Sequence, residues 1–120
     1  DLFDMINPNY NYKIKDNSAV MTFGAMEQLS GNVEKMFDYL LSQKIKICIH
    51  IEPELDFYDQ NILEDYLAIK FQGKRGYSNV IGSYLRKLSK EKKIEILKIH
   101  RMNFGSLFME GYNLFIWKQI

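Results

Sequence analysis

The fold is best indicated by one stretch of sequence, Met21-Thr22-Phe23-Gly24-Ala25-Met26-Glu27-Gln28-Leu29. A short apolar run over residues 18–23 predicts a strand, and Gly24 predicts a tight turn after it. An amphipathic helical pattern follows from Asn32. Strand, turn and helix make a βα unit, and open α/β sheets bind ligands at the carboxyl ends of their strands. Glu27, in this turn, is therefore a candidate site residue.

The rest of the chain repeats this alternation and predicts the order β-α-β-α(α)-β-β after an irregular lead-in over residues 1–17. Helical crossovers make the first three strands parallel, and the last strand returns antiparallel as a hairpin. The first strand lacks strict alternation, so we expect it to be buried on both faces. The predicted strands cover residues 18–23, 45–51, 94–100 and 112–118, and the predicted helices cover 32–44, 61–71 and 81–88, with a loop over 72–76.

Capping residues and apolar stripes support these helices. Asn32 is predicted to cap the first helix, and Asn61 with Glu64 resembles a capping box for the second. Residues at helical spacing then predict the faces that pack on the sheet. These faces comprise Val33, Met36, Phe37, Leu40 and Leu41, then Ile62, Tyr66, Leu67 and Ile69, then Ile81, Tyr84, Leu85 and Leu88.

The composition is that of one ordinary globular domain over residues 1–120. The chain is 47% hydrophobic and 26% charged, with a net charge of +1. So small a charge indicates neither a nucleic-acid nor a membrane-surface partner. Cys48 is the one cysteine, which excludes an internal disulfide and a cysteine zinc site. We expect a buried structural thiol and a cytoplasmic protein. The two histidines are far apart, so no metal site is predicted.

These elements resemble the carboxyl-terminal half of the class I S-adenosylmethionine-dependent methyltransferases. Residues 22–29 resemble the segment after that family's fourth strand, where a small-residue turn and a Glu lie beside the methionine end of the cofactor. Ile47-Cys48-Ile49-His50-Ile51-Glu52-Pro53 resembles the fifth strand and the acceptor-side turn. Residues 101–117, including Glu110-Gly111-Tyr112-Asn113-Leu114, resemble the closing hairpin. A narrower similarity is to methyltransferases of sugar or surface-glycan pathways.

The resemblance implies a Rossmann-like three-layer α/β sandwich, with a mostly parallel sheet and an antiparallel hairpin strand at its carboxyl end. It implies that Phe23, Gly24, Ala25 and Glu27 face S-adenosylmethionine. The family's glycine-rich first turn would precede Asp1, and no G-x-G-x-x-G pattern occurs in the chain. We therefore expect cofactor binding and activity in a longer protein rather than in these 120 residues alone.

Polar residues at the predicted strand ends are the candidates for the chemistry. An oxygen acceptor needs a base, and His50 and Glu52 are the catalytic candidates. Tyr58, Arg75, Tyr77 and Arg101 are the candidates for binding a small polar acceptor, such as a sugar. Structural alternatives stay open: Glu27 can balance a helix dipole, His50 can be a core residue, and the tyrosines can anchor a solvated loop.

A second hypothesis comes from another class of protein. The chain can be a non-catalytic α/β module that binds a partner or assembles through an exposed sheet edge. A truncated sheet leaves an apolar edge strand open, so we expect a homodimer through that edge under either hypothesis. A phospho-acceptor receiver domain is a weaker third option, because no paired aspartates follow an early strand.

Overall fold

A four-stranded mixed sheet with helices packed against it is the framework of the fold. The computed structural model describes residues 2–77, 80–102 and 112–120, and within them strands and helices alternate in the predicted order. Short 3₁₀ turns over Met26–Leu29 and Leu55–Phe57 follow the first two strands. The strands are β1 (Ala19–Phe23), β2 (Ile47–Glu52), β3 (Ile94–Arg101) and β4 (Asn113–Gln119), and the helices are α1 (Glu34–Leu41), α2 (Leu63–Arg75) and α3 (Ile81–Lys90).

The strand order across the sheet is β1-β2-β4-β3. β1 pairs with β2 in parallel, whereas β4 runs antiparallel to both β2 and β3. β1, β2 and β3 therefore point in one direction, as the helical crossovers predict, and the antiparallel pairing of the last two strands is confirmed. The expectation of a mostly parallel sheet is wrong, because β4 lies between β2 and β3. Among the described strands only β1 and β2 pair in parallel.

One face of the sheet packs against α1 and α3 and forms the hydrophobic core. Cys48 on β2 and Phe115 and Trp117 on β4 are fully buried on this face. The apolar stripe predicted for α1 is confirmed, since four of its five positions are buried and Leu41 is half-buried. The buried cluster consists of Met26, Leu29, Val33, Met36, Phe37, Tyr39, Leu40, Ile45, Cys48, Ile81, Leu85, Leu88, Ile94, Phe115 and Trp117.

The opposite face of the sheet is apolar on β1 and β2, and no described helix covers it there. Met21 and Phe23 on β1 are 64% and 57% exposed, and the three isoleucines of β2 are half-buried. The expected burial of the first strand on both faces is therefore wrong, because among the described residues only one face of β1 is covered. The described residues thus form two layers, a sheet and its helices, rather than three.

Helix α2 is continuous, so the loop predicted over residues 72–76 is wrong. Gly73 lies inside the helix, with open space around its Cα. The helix ends only at Gly76, whose φ of +66° is the left-handed conformation of a carboxyl-terminal cap. The apolar face predicted for this helix is also wrong, because two of its buried residues are polar: Asp65 pairs with Arg101, and Gln72 donates a hydrogen bond to Tyr58. The buried residues are Asp65, Ala68 and Gln72, Ile69 is half-buried, and Ile62, Tyr66 and Leu67 are exposed.

The predicted capping residues do not cap their helices. α1 begins after Val33, and neither α1 nor α2 has a side-chain hydrogen bond at its amino-terminal cap. The Asn32 amide instead donates to the Leu29 carbonyl at 3.1 Å, and the Asn61 amide donates to the Asp59 carboxylate at 2.9 Å. Both asparagines stabilise the preceding turn rather than the helix, which spacing alone does not distinguish.

The remaining boundaries shift by one to three residues, the largest shift being the end of α1 at Leu41 rather than at residue 44. β2 begins at Ile47 rather than at residue 45, and β3 and β4 each end one residue later than predicted. Most of the predicted hairpin loop, residues 103–111, lies outside the described residues. The lead-in packs on α1, where the Tyr39 hydroxyl donates to the Tyr12 carbonyl at 2.9 Å and the Phe3 ring lies 4.9 Å from the Tyr39 ring.

Candidate functional site

The turn after β1 is built around Gly24. This residue has a φ of +56°, and its N–H donates to the Ile51 carbonyl at 3.0 Å. A Cβ at this position would lie 3.4 Å from the ring and the hydroxyl of Tyr112, and the Tyr112 ring is 4.6 Å from the Phe23 ring. Glycine is the residue that adopts this backbone conformation without strain. Phe23, Gly24 and Ala25 thus lie at the carboxyl end of β1, against the start of β4.

The Glu52 carboxylate holds this turn in place. It is fully buried at the end of β2 and accepts hydrogen bonds from the backbone N–H groups of Ala25, Met26 and Glu27 at 3.2, 3.1 and 3.3 Å. A carboxylate suits these N–H groups because hydrogen bonds to an ionised acceptor are strong. Both oxygens of Glu52 are thereby engaged. The structure makes Glu52 a positioning residue for the turn.

Glu27 carries the second carboxylate at this turn. It is 8% exposed, and burial raises the pKa of its carboxyl group above the ordinary value. Its Oε1 accepts a 3.0 Å hydrogen bond from the Gln28 amide and lies 3.8 Å from where a Cβ of Gly24 would stand. The hydrogen bond from Gln28 and the positive charge of Arg75 oppose this rise in the pKa without cancelling it. The Glu27 carboxylate therefore lies next to the backbone of Gly24.

His50 lies in the core rather than at the edge of the sheet. Its ring is fully buried, and its Nε2 accepts a 2.9 Å hydrogen bond from the indole N–H of Trp117. The other ring nitrogen must then carry the proton, and it lies 2.9 Å from the Thr22 hydroxyl. Burial lowers the pKa of His50 to about 4. With both nitrogens engaged, His50 has a structural geometry, and this position does not support the predicted acid–base role.

Two of the predicted acceptor residues meet at the carboxyl end of β3. Arg101 forms a bidentate pair with Asp65 at 2.6 and 3.2 Å and donates to the Phe57 carbonyl at 2.8 Å. Its guanidinium lies 5.2 Å from the centre of the Tyr58 ring, and the Tyr58 hydroxyl accepts a 3.2 Å hydrogen bond from the Gln72 amide. The hydrogen bond from Arg101 lowers the pKa of Asp65. Arg101 and Tyr58 therefore hold α2 in position through its residues Asp65 and Gln72.

The other two predicted acceptor residues meet at the end of α2. The Arg75 guanidinium donates to the Tyr77 hydroxyl at 3.1 Å and lies 5.2 Å from the centre of the Phe71 ring. The hydroxyl of Ser30 donates to the Gly76 carbonyl at 2.9 Å, which joins the end of α2 to the segment after Glu27. Arg75 and Tyr77 therefore lie on the same side as the turn after β1.

Sequence reasoning missed several buried polar residues at this edge. The Glu54 carboxylate accepts a 2.8 Å hydrogen bond from the Gly82 N–H at the start of α3, and burial raises the pKa of Glu54. Asn113 is fully buried between its strand partners Glu52 and Arg101, and its amide makes no hydrogen bond among the described residues. Glu54 directly follows Pro53, and that position after a strand is the one signal that could have indicated it.

Two further features limit the chemistry. Among the described residues no group of His, Cys, Asp and Glu side chains is arranged to hold a metal ion. Burial raises the pKa of the Cys48 thiol to about 12, so this cysteine is not a reactive nucleophile.

Of the helices that the structure describes, none has the length and apolar character to span a membrane. Comparison with protein-family models, with curated proteins and with solved structures gave no match.

Proposed function

We propose that this chain forms the acceptor-side half of an S-adenosylmethionine-dependent methyltransferase. One observation carries the proposal: three strands point the same way, the terminal strand folds back between them, and their ends bring the turn after β1, Glu52 and Arg101 to one edge. That edge is where open α/β sheets bind ligands. The single cysteine and the net charge of +1 agree with a cytoplasmic enzyme of a small, polar acceptor.

The residues of the turn after β1 suit the methionine end of such a cofactor, which supplies an electrophilic methyl group when bound. The Tyr112 ring and hydroxyl lie beside Gly24, which carries no Cβ, and the Glu27 carboxylate next to them offers a partner to an ammonium group. Glu52 orients both through its hydrogen bonds to the turn. Methyl transfer depends chiefly on alignment and exclusion of water, so rigid positioning is the chemistry this turn would provide.

The acceptor side of the proposed site is formed by the end of α2. Arg75 and Tyr77 offer hydrogen-bond donors beside an exposed aromatic ring, as a sugar or another small polar acceptor requires. Tyr58 and Arg101 act through the Asp65 and Gln72 contacts that fix α2 in position.

Calorimetry with S-adenosylmethionine tests the proposal on the complete polypeptide that contains this chain. We expect saturable binding that Glu27→Gln weakens roughly tenfold, as the loss of one charge-assisted contact predicts. Glu95→Gln is the matched control, because Glu95 is an exposed residue of β3 paired with Lys118. Absence of heat and of any thermal shift at millimolar cofactor would overturn the enzymatic proposal.

A second candidate is a non-catalytic α/β module that assembles through its sheet. The bare apolar face of the sheet favours this candidate, since exposed patches of that kind mark interaction surfaces. Cofactor binding separates the two candidates, because a module of this class has no reason to bind S-adenosylmethionine.

A further inference from the structure

Buried polar atoms without a hydrogen-bond partner occur at the carboxyl edge of the sheet. Among the described residues they are Oε1 of Glu54, Oε1 of Gln72 and both amide atoms of Asn113. All three side chains are fully buried, so bulk solvent does not satisfy these atoms. A buried amide without a partner destabilises a fold, and in native proteins such an atom calls for a ligand or an ordered water. These atoms therefore indicate a binding site at this edge.

Asn113 lies in the middle of the edge. Its strand β4 has β2 on one side and β3 on the other, and Asn113 is paired with Glu52 and with Arg101. Directly paired residues of an antiparallel ladder project to the same face, with Cβ atoms about 5 Å apart. Glu52 accepts hydrogen bonds from the turn after β1, and Arg101 forms its bidentate pair with Asp65. The Asn113 amide thus stands between two charged groups that bind other partners.

Gln72 adds a second amide on the helix side of Arg101. Its nitrogen donates to the Tyr58 hydroxyl at 3.2 Å, whereas its Oε1 accepts no hydrogen bond from the described residues. The Tyr58 ring lies 5.2 Å from the Arg101 guanidinium, which joins Gln72 to the surroundings of Asn113. Tyr58 and Phe57 are half-buried. Because partly exposed side chains change rotamer within nanoseconds, a ligand can reach the edge past these two rings.

The charges around Asn113 disfavour an ionic ligand. Glu52 on one side is a carboxylate, and the Arg101 guanidinium on the other side is paired with the Asp65 carboxylate. These three groups together carry a net negative charge, which repels an anion at short range. The guanidinium repels a cation that approaches Asn113 from the side of β3. The site therefore favours a neutral polar ligand.

The unpartnered atoms match hydroxyl groups. The Asn113 amide presents one donor group, at Nδ2, and one acceptor, Oδ1, and two neighbouring hydroxyl groups complement this pair, because one accepts while the other donates. Gln72 Oε1 can accept a hydrogen bond from a further hydroxyl. The Phe57 ring, 6.1 Å from the Phe115 ring, offers apolar surface to a carbon skeleton. A compound with several hydroxyl groups satisfies all of these requirements.

We propose that Asn113 and Gln72 bind neighbouring hydroxyl groups of a neutral polyhydroxylated ligand, of the kind that monosaccharides provide. The Asn113 amide holds two hydroxyl groups, and Gln72 accepts a hydrogen bond from a third. The ligand thereby pairs atoms that have no partner among the described residues. That this ligand is the methyl acceptor rests on the proposed function, whereas the binding itself rests on the unpartnered amides alone.

The stability of the ligand-free protein tests whether the Asn113 amide is unpartnered. Asn113→Leu replaces the amide by an apolar side chain of similar size, so we expect the melting temperature to rise by a few degrees as a buried unpaired group is removed. A melting temperature below that of the wild type would show that the amide has a structural partner, and it would overturn the proposal. Asn11→Leu, at an exposed residue of the lead-in, is the control and should leave the melting temperature unchanged.

Binding of neutral hexoses tests the class of ligand. The probes are D-glucose, D-galactose and D-mannose, titrated by saturation-transfer NMR on the complete polypeptide that contains this chain. We expect saturable binding of at least one hexose, weakened roughly tenfold or more by Asn113→Leu because two hydrogen bonds are lost. The hexuronate of the same configuration is the anionic probe and should bind more weakly. No binding of any hexose, equal binding by Asn113→Leu, or tighter binding of the hexuronate would each overturn the proposal.

Separate titrations of the wild type with hexose and with S-adenosylmethionine distinguish this site from the proposed function. Hexose binding without cofactor binding would support the Asn113 site and overturn the methyltransferase proposal. Cofactor binding without hexose binding would overturn the Asn113 site alone.

Discussion

Trp117 and His50 are joined by a 2.9 Å hydrogen bond in which the indole N–H is the donor and the imidazole Nε2 is the acceptor. An indole nitrogen can only donate, so the acceptor nitrogen cannot carry a proton. The arrangement therefore requires a neutral imidazole in the interior of the protein. Protonation of His50 would break this hydrogen bond and would bury a charge.

The pH dependence of stability follows from this neutral His50. Its pKa is about 4 in the folded protein and near 6.5 in the unfolded chain, so the unfolded state takes up a proton first as the pH falls. The stability that neutral His50 contributes is complete above the pKa of the unfolded chain and is lost as the pH falls from that value to the pKa of the folded protein. We expect this group to make the protein about 2 kcal/mol less stable at about pH 5 than at about pH 7.5, measured by urea unfolding.

The His50→Gln variant isolates that effect. The raised pKa values of Glu27 and Glu54 act in the opposite direction, since their contribution is lost as the pH rises. Subtracting the variant's pH profile from that of the wild type removes these carboxyl groups from the comparison. His100→Gln, at an exposed residue of β3, is the control and should retain the wild-type profile. An unchanged profile in His50→Gln would contradict a buried neutral histidine.

The order of the elements was predictable from the sequence because it follows from local periodicity. Proline after β2, the glycine turn at residue 24 and the β-branched strands all act over a few residues. The orientation of the sheet was not predictable in this way. On β2 the polar residues His50 and Glu52 face the helices, and the isoleucines face away. Their partners, Trp117 and the turn after β1, are distant in sequence, so hydropathy alone favours the wrong face.

Removing the charge of Glu52 should destabilise the turn after β1. Glu52→Gln replaces one acceptor oxygen by an amide that points its own N–H at backbone donors, and a buried donor without a partner costs about 1–3 kcal/mol. We expect a loss of that size in the free energy of unfolding. Glu95→Gln breaks an exposed pair with Lys118 and should cost less than about 1 kcal/mol. Equal stability of both variants would show that the carboxylate does not organise the turn.

Two helical glycines should respond oppositely to alanine. Gly73 has no atom within 4 Å of a built Cβ, so Gly73→Ala should stabilise α2 by about 0.5–1 kcal/mol through backbone entropy. At Gly82 the added Cβ would stand 3.3 Å from the Glu54 carboxylate and 3.5 Å from the Phe115 ring. Gly82→Ala should therefore lower the melting temperature, while Gly73→Ala raises it. A rise in both would mean that α3 can move away from the sheet.

The ion pair of Arg101 and Asp65 should be asymmetric in its energetics. The Asp65 side chain is 6% exposed and the Arg101 side chain 32% exposed, so only the carboxylate is left in a dry site when its partner is removed. Breaking a buried pair in this way costs about 3–5 kcal/mol, whereas a partly solvated cation keeps contact with water. We expect Arg101→Gln to destabilise the protein more than Asp65→Asn does.

Acid titration gives a second test of the Arg101–Asp65 pair. The pairing lowers the pKa of Asp65, so the stability that the pair contributes is present above the unfolded pKa of the carboxyl group and is lost as the pH falls. Arg101→Gln should remove that acid-sensitive part, and equal losses in the two variants with unchanged acid sensitivity would contradict the pairing.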